Sequence, residues 1–304
     1  MEIANEAPAS FRSSARRPGA LGLIEEAIRE VLGRRRLIRY LVSAVIKKKG
    51  ADSILGNVWW VLDPLLQMLV YLILLTVIFR RATPDFPLFL FAAILPWKWF
   101  ASSVNDAVNS VVKQERLIKQ VQFPKIVLPT ASVVAGVVNF GFGLIPLGVM
   151  LVAFYPQHAG PAIILLPVIA VVQFVFTLGL ALIVSAVNVF YRDVGNLMTH
   201  LIRLWFYLSP ALWSFDRLDE RGQGVRGVIG EPGYTLLHLN PFAVLLTAYR
   251  DVVYGRVDET GRGFTPSQPP DFVALGLLLL FSVGLVLVGV LVFKRVETAF
   301  AKVL

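Results

Sequence analysis

The sequence predicts an all-α polytopic membrane protein. It should have six transmembrane helices, an N-terminal amphipathic interface helix, and an external re-entrant helical hairpin between spans five and six. Three observations carry this. Of 304 residues, 56% are hydrophobic and 16% are charged, where a soluble domain has about 25% charged residues. Several apolar runs reach roughly 20 residues, enough to cross a hydrocarbon core of about 30 Å at about 1.5 Å per residue. Lys and Arg are also unevenly shared: 20 fall in the segments that six spans put inside, and eight in those put outside. Positive-inside then places both termini in the cytoplasm.

Composition excludes some chemistry. The chain has no cysteine, which removes disulfides, thiolate catalysis and Cys-based metal sites. His158, His200 and His238 are too scattered for a metal cluster. The net charge of +9 reads as basic cytoplasmic loops rather than as a nucleic-acid surface. Residues 1–20 hold no apolar core and read as a disordered tail without a cleavable signal.

Residues 21–52 carry apolar positions at 21, 24, 28, 31, 38, 41, 42 and 45, with charge opposite. That is helical spacing. With Arg34–Arg36 and Lys47–Lys49 as basic clusters, an amphipathic helix on the cytoplasmic leaflet is expected. Residues 53–304 form the six-span domain. Span one covers 59–79 and opens on Trp59 and Trp60, indoles suited to the membrane–water boundary. Asp63, Gln67 and Tyr71 repeat every four residues on one face. A carboxylate and an amide facing lipid would cost several kcal/mol, so that face should look at protein or water. The stretch reads either as an ordinary first span with a Trp anchor or as the lining of a polar pathway.

Span two, 88–112, is aromatic first and polar later, with Ser102, Asp106 and Asn109 or Ser110 on one face. The link 113–125 is basic. Pro124 and Pro129 break it into a short helix, a turn and then span three at 126–155, rich in glycine. Span four, 161–189, carries a weakly polar stripe of Gln173, Thr177, Ala181, Ser185 and Asn188. After the charged turn at Arg192 and Asp193, span five is expected at 197–215. Between 216 and 271, residues 234–249 are apolar but interrupted at Asn240–Pro241. They are too short to span, so a re-entrant or interfacial hairpin fits, ending at Arg250. Span six, 272–293, is nearly all Leu, Val and Gly and should face lipid.

The chain has no G-x-x-x-x-G-K-[ST] phosphate loop, no H-E-x-x-H and no G-x-S-x-G. Asp63 and Asp106 are the acidic residues inside predicted spans, and no catalytic role is assigned to either.

Four stretches together resemble one family. LGNVWWVLDPLL at 55–66, LIKQVQFPKIVLP at 117–129, NVFYRDVGNLMTHLIRLWFYLSP at 188–210 and NPFAVLLTAYRDVVYG at 240–255 look like signature segments of ABC transporter permeases. These are the permeases that export polysaccharides, O-antigens, galactans or teichoic acids. The resemblance implies a homodimer in the bacterial inner membrane, joined to two copies of a separate ABC ATPase. ATP and Mg would act in that partner, with no cofactor or metal in this chain and no nucleic acid involved. The cargo would be a glycan on an undecaprenyl-diphosphate carrier. Lys119, Phe123, Pro124, Lys125, Arg192 and Asp193 would couple to the ATPase. Asn240, Pro241 and Arg250 would belong to an external gate. For the pathway, sugar C–H faces suit aromatic rings and sugar hydroxyls suit small polar groups. Trp59, Asp63, Gln67, Tyr71, Phe140, Trp205 and Tyr207 are the candidates. An ABC exporter of small lipids or drugs, or a polyprenyl-dependent membrane glycosyltransferase, are the alternative readings.

Overall fold

The computed structural model describes residues 19–50, 54–78, 85–213, 230, 233, 235–237, 239–257 and 264–304. The predicted N-terminal tail, the close of span one at Arg80–Arg81, and most of the external loop at 216–234 lie outside them, as does His238. The described chain is almost wholly helical. Its one ladder pairs β1 (Arg256–Val257) antiparallel with β2 (Phe264–Thr265).

The interface segment folds as two helices rather than the single one expected. These are α1 (Ala20–Gly33) and α2 (Arg35–Gly50), separated at Arg34, which leaves helical geometry at φ −101°, ψ 24°. Gly33, a weak helix former, runs straight into three arginines whose charges repel at close spacing. Among the described residues, five helices are long and apolar enough to cross a membrane: Trp59–Ile78, Phe86–Val108, Val127–Phe154, Pro161–Phe190 and Phe272–Glu297. Their regular α-helical parts are α3 (Trp59–Leu72), α4 (Phe86–Val108), α6 (Val127–Val149), α7 (Leu166–Phe190) and α10 (Phe272–Glu297), with α5 (Glu115–Gln120) between α4 and α6.

The predicted fifth span starts earlier and stops sooner. It is α8 (Asp193–Leu208), 16 residues long. Its end follows from local chemistry: the Ser209 hydroxyl turns back to donate to Trp205 O at 2.8 Å, and Pro210 has no N–H to continue the ladder. The second arm of the expected hairpin is α9 (Pro241–Val253), capped by the Asn240 carboxamide, which accepts from Phe242 N at 3.0 Å. α9 is buried within the bundle, and the chain closes with α11 (Phe300–Val303).

The core gathers on α4, most of whose residues are buried, with α7 and α9 around it. Trp97, Phe100, Phe176, Trp205 and Phe242 form one aromatic cluster with ring centroids 4.4–6.4 Å apart. The polar stripe on α7 points inward: Gln173 Nε2 donates to Pro96 O at 2.8 Å and Asn188 Nδ2 to Val108 O at 2.9 Å. α10 is not simply lipid-facing. One side packs on α7, where Gly179 lies against the backbone of Leu285 and Val286 and Gly289 against the Gly179 carbonyl. Its other side, including Val273, Leu277, Leu280 and Val288, stays exposed.

Contacts fix the helix directions. Residue numbers rise together along α7 and α10 (Phe176 with Phe281, Leu182 with Gly289), so the two run parallel. Along α4 and α8 they run oppositely, Trp97 meeting Trp205 and Asn105 meeting Thr199. α8 therefore carries the chain back toward the end where α7 began. One end of the bundle collects α1, α5 and the C-terminus: Lys294 Nζ bonds Glu30, and Lys119 Nζ donates to Leu304 O at 2.8 Å. The opposite end collects Asp85, His158 and Tyr254.

Candidate substrate pathway and coupling surface

The α3 stripe does not run as one unit. In its second half, Tyr71 stacks on Phe206 of α8 with centroids 5.6 Å apart. The Tyr71 hydroxyl comes close to Gln67 of its own helix and to Tyr207 of α8. Three predicted pathway residues from two helices thus meet, and Tyr207 stays more than half exposed. In its first half, Asp63 is ion-paired with Lys98 of α4, whose side chain is 25% exposed against 63% for Asp63. Trp59, Asp63 and Phe140 line a cleft of about 300 Å³ between α3, α4 and α6, together with Trp60, Lys98, Trp99, Ser102 and Asn139.

Two pathway candidates pack among aromatic side chains. Phe140 is buried and stacks on Trp99 at 4.7 Å. Trp205 is half-buried in the aromatic cluster, and its indole N–H donates to Asn240 Oδ1 at 2.9 Å. Asn240 in turn donates through Nδ2 to Ser209 Oγ at 2.9 Å. Asn240 thus joins the start of α9 to the end of α8, and Pro241 opens α9. Arg250 is buried. Its guanidinium donates to the carbonyls of Pro210 (2.5 Å), Ala211 (2.5 Å) and Trp213 (2.9 Å) and lies 3.7 Å over the Phe89 ring. A planar fork of donors suits a turn whose carbonyls have no helical partner. Asp251, buried beside it, takes a two-bond clasp from Arg256, each bond 3.0 Å.

On the other surface, α5 carries Lys119, exposed and bonded to Glu115 Oε1 at 2.7 Å. That ammonium holds the Glu115 carboxyl below its usual range, first through the hydrogen bond, with Arg192 adding a smaller pull. Arg192 of the second turn thus lies within electrostatic reach of α5. Arg192 and Asp193 are exposed, while Phe123, Pro124 and Lys125 are half-buried. Phe123 leans inward against an apolar cluster containing Ile118, Ile126, Phe293 and Phe300. The Lys125 N–H donates to Glu297 Oε1 at 2.5 Å.

Sequence reasoning missed three residues. Lys98 belongs to no site read from the sequence; an Asp one span earlier is the available signal. Lys294 likewise belongs to no site read from the sequence, yet its ammonium lies 2.9 Å from each of Glu26, Glu30 and Glu297. His158 was dismissed as scattered. It is fully buried, with Nδ1 2.5 Å from Tyr254 O and Nε2 2.8 Å from Asp85 Oδ2, and no local pattern announces either partner.

A bundle of long apolar helices with a basic surface at one end is the architecture of a multi-pass membrane protein. Comparison with known proteins makes this specific: residues 36–229 match the ABC-2 type transporter family, and the chain belongs to it. It is a transport component rather than an enzyme. It is 36% identical over 227 residues to the O-antigen export system permease protein RfbA of Myxococcus xanthus, covering 75% of this chain and 84% of that protein. Two proteins of the same name from Klebsiella pneumoniae are 25% and 26% identical over 271 residues, covering 88% of this chain and 95% of each.

Proposed function

We propose that this chain is the membrane-spanning subunit of an ATP-driven exporter for a surface polysaccharide of the O-antigen kind. The cargo would ride an undecaprenyl-diphosphate carrier and cross the bacterial inner membrane from the cytoplasmic side. Two copies would form the pore about a two-fold axis, because one chain has too few polar faces to enclose a polymer. Each would dock one of two ATPase subunits through Lys119, Phe123, Pro124, Lys125, Arg192 and Asp193. Asn240, Pro241 and Arg250 would hold the outer gate, and α8 would complete a sixth crossing with both termini cytoplasmic.

The observation that carries the reading is the approach of Gln67, Tyr71 and Tyr207 to one another, with Tyr207 left exposed. Hydroxyls and an amide at membrane depth are costly against lipid and useful against a sugar's hydroxyl edge. The names of the relatives support the polysaccharide class. The test replaces Tyr71 and Tyr207 together by Leu. Export of the native glycan should slow, with dimer and ATPase assembly intact. Unchanged export would move the pathway to another face.

A further inference from the structure

The cleft between α3, α4 and α6 differs in chemistry from the tyrosine group above it. Four aromatic rings line it (Trp59, Trp60, Trp99 and Phe140), together with four polar side chains: Asp63, Lys98, Ser102 and Asn139. An ion pair this exposed, set in two apolar helices, needs a polar neighbour, since neither charge is tolerated against lipid. A volume of about 300 Å³ is at the small end for a ligand site, room for a single ring rather than a stretch of polymer. We propose that this cleft is a subsite for one uncharged sugar residue of the exported glycan. The charge balance makes the choice. Lys98 is already neutralised by Asp63, so the cleft carries no net charge. A diphosphate head group would have to displace the Asp63 carboxylate and then lie beside it. A sugar uses both partners as they stand: its hydroxyls donate to Asp63 and accept from Lys98, while its C–H face lies on an indole. The proposal rests on the reading of the chain as a glycan exporter.

The chain has no native cysteine, so a single Asn139→Cys variant reports on the cleft alone. Its maleimide labelling rate would be measured on the full chain in nanodiscs. The probes are the source strain's surface polysaccharide, cleaved from its carrier by mild acid, and inorganic pyrophosphate. The polysaccharide should slow labelling severalfold and pyrophosphate should not. In the same background, D63N/K98Q should abolish the protection. Because that pair could perturb folding, the reversed pair D63K/K98D serves as a second variant. It keeps the ion pair and should keep part of the protection. Protection by pyrophosphate would overturn the proposal in favour of an anion site. Absence of protection in a chain that still exports glycan in cells would overturn the subsite while leaving the exporter reading standing. A chain that exports no glycan at all would remove both.

Discussion

Lys294 shows how much one side chain can hold. It is nearly buried at the end of α10, and three carboxylates from two helices converge on its ammonium. One of them, Glu297, also takes the backbone N–H of Lys125. Lys294 thus ties α1, α10 and the segment after α5 into one joint. Lys294→Met would leave three carboxylates facing one another, and removing one partner of a buried pair is the costly way to break it. Because Glu26 is half exposed, we expect a loss of about 2–3 kcal/mol rather than the full buried-pair cost, read as a lower unfolding temperature in detergent. Glu30→Gln should be far milder. Burial pushes the Glu30 carboxyl above its usual range, outweighing the Lys294 bond that pulls it down. A carboxyl raised in this way binds protons more readily folded than unfolded. Its contribution to stability therefore grows as pH falls through the raised value and is lost as pH rises. If Glu30→Gln proved as damaging as Lys294→Met, the joint would depend on Glu30's charge. None of this was legible in the sequence: Lys294 and Glu30 lie 264 positions apart, and no periodicity connects them.

At the scale of elements, hydropathy located the long helices well, because a run of apolar residues is a local property. It failed where a neighbour decides. α8 was placed too far along because its apolar residues continue past Ser209, whereas the helix stops at the turn held by Arg250. α10 read as featureless because its glycines gain meaning only from α7. At their contact the backbones approach so closely that a Cβ on Gly289 would lie 2.8 Å from the Gly179 carbonyl oxygen. Small residues allow such contact between membrane helices, and backbone cannot yield as a flexible side chain can. Gly289→Val should therefore cost about 1–3 kcal/mol by overpacking. Gly276→Val, with nothing within 4 Å of its Cβ position, should be close to neutral. Equal unfolding temperatures for the two variants would mean that α7 and α10 can slide apart freely. The pathway candidates were half legible in the same way. Spacing put Asp63, Gln67 and Tyr71 on one face, but only packing divides that face between α4 and α8.

For the whole molecule, the number of crossings turns on α8. Sixteen residues reach about 24 Å, short of a core of about 30 Å. Five crossings would leave the termini on opposite sides, yet α1 and the C-terminal Leu304 gather at one end, joined through Lys294 and Lys119. The parallel course of α7 and α10 makes the same demand, since the chain must return before α10 can start. The shortfall in α8 is met from the other side. Irregular backbone at membrane depth is tolerated where protein satisfies it. Here Arg250 bonds the carbonyls of Pro210, Ala211 and Trp213, while α9 fills the remaining depth against α4 and α7. On the proposed reading, a short helix completed by a returning one would serve as the sixth crossing. The proposed orientation rests on charge, because the end that holds α1, α5 and the C-terminus carries most of the Lys and Arg. Topology reporters fused after residues 157, 230 and 304 should read outside, outside and inside. An external reporter at 304 would mean that α8 and α9 enter and leave on one side. The parallel packing of α7 and α10 would then have to be wrong as well, which a cross-link between cysteines placed at Phe176 and Phe281 would check independently.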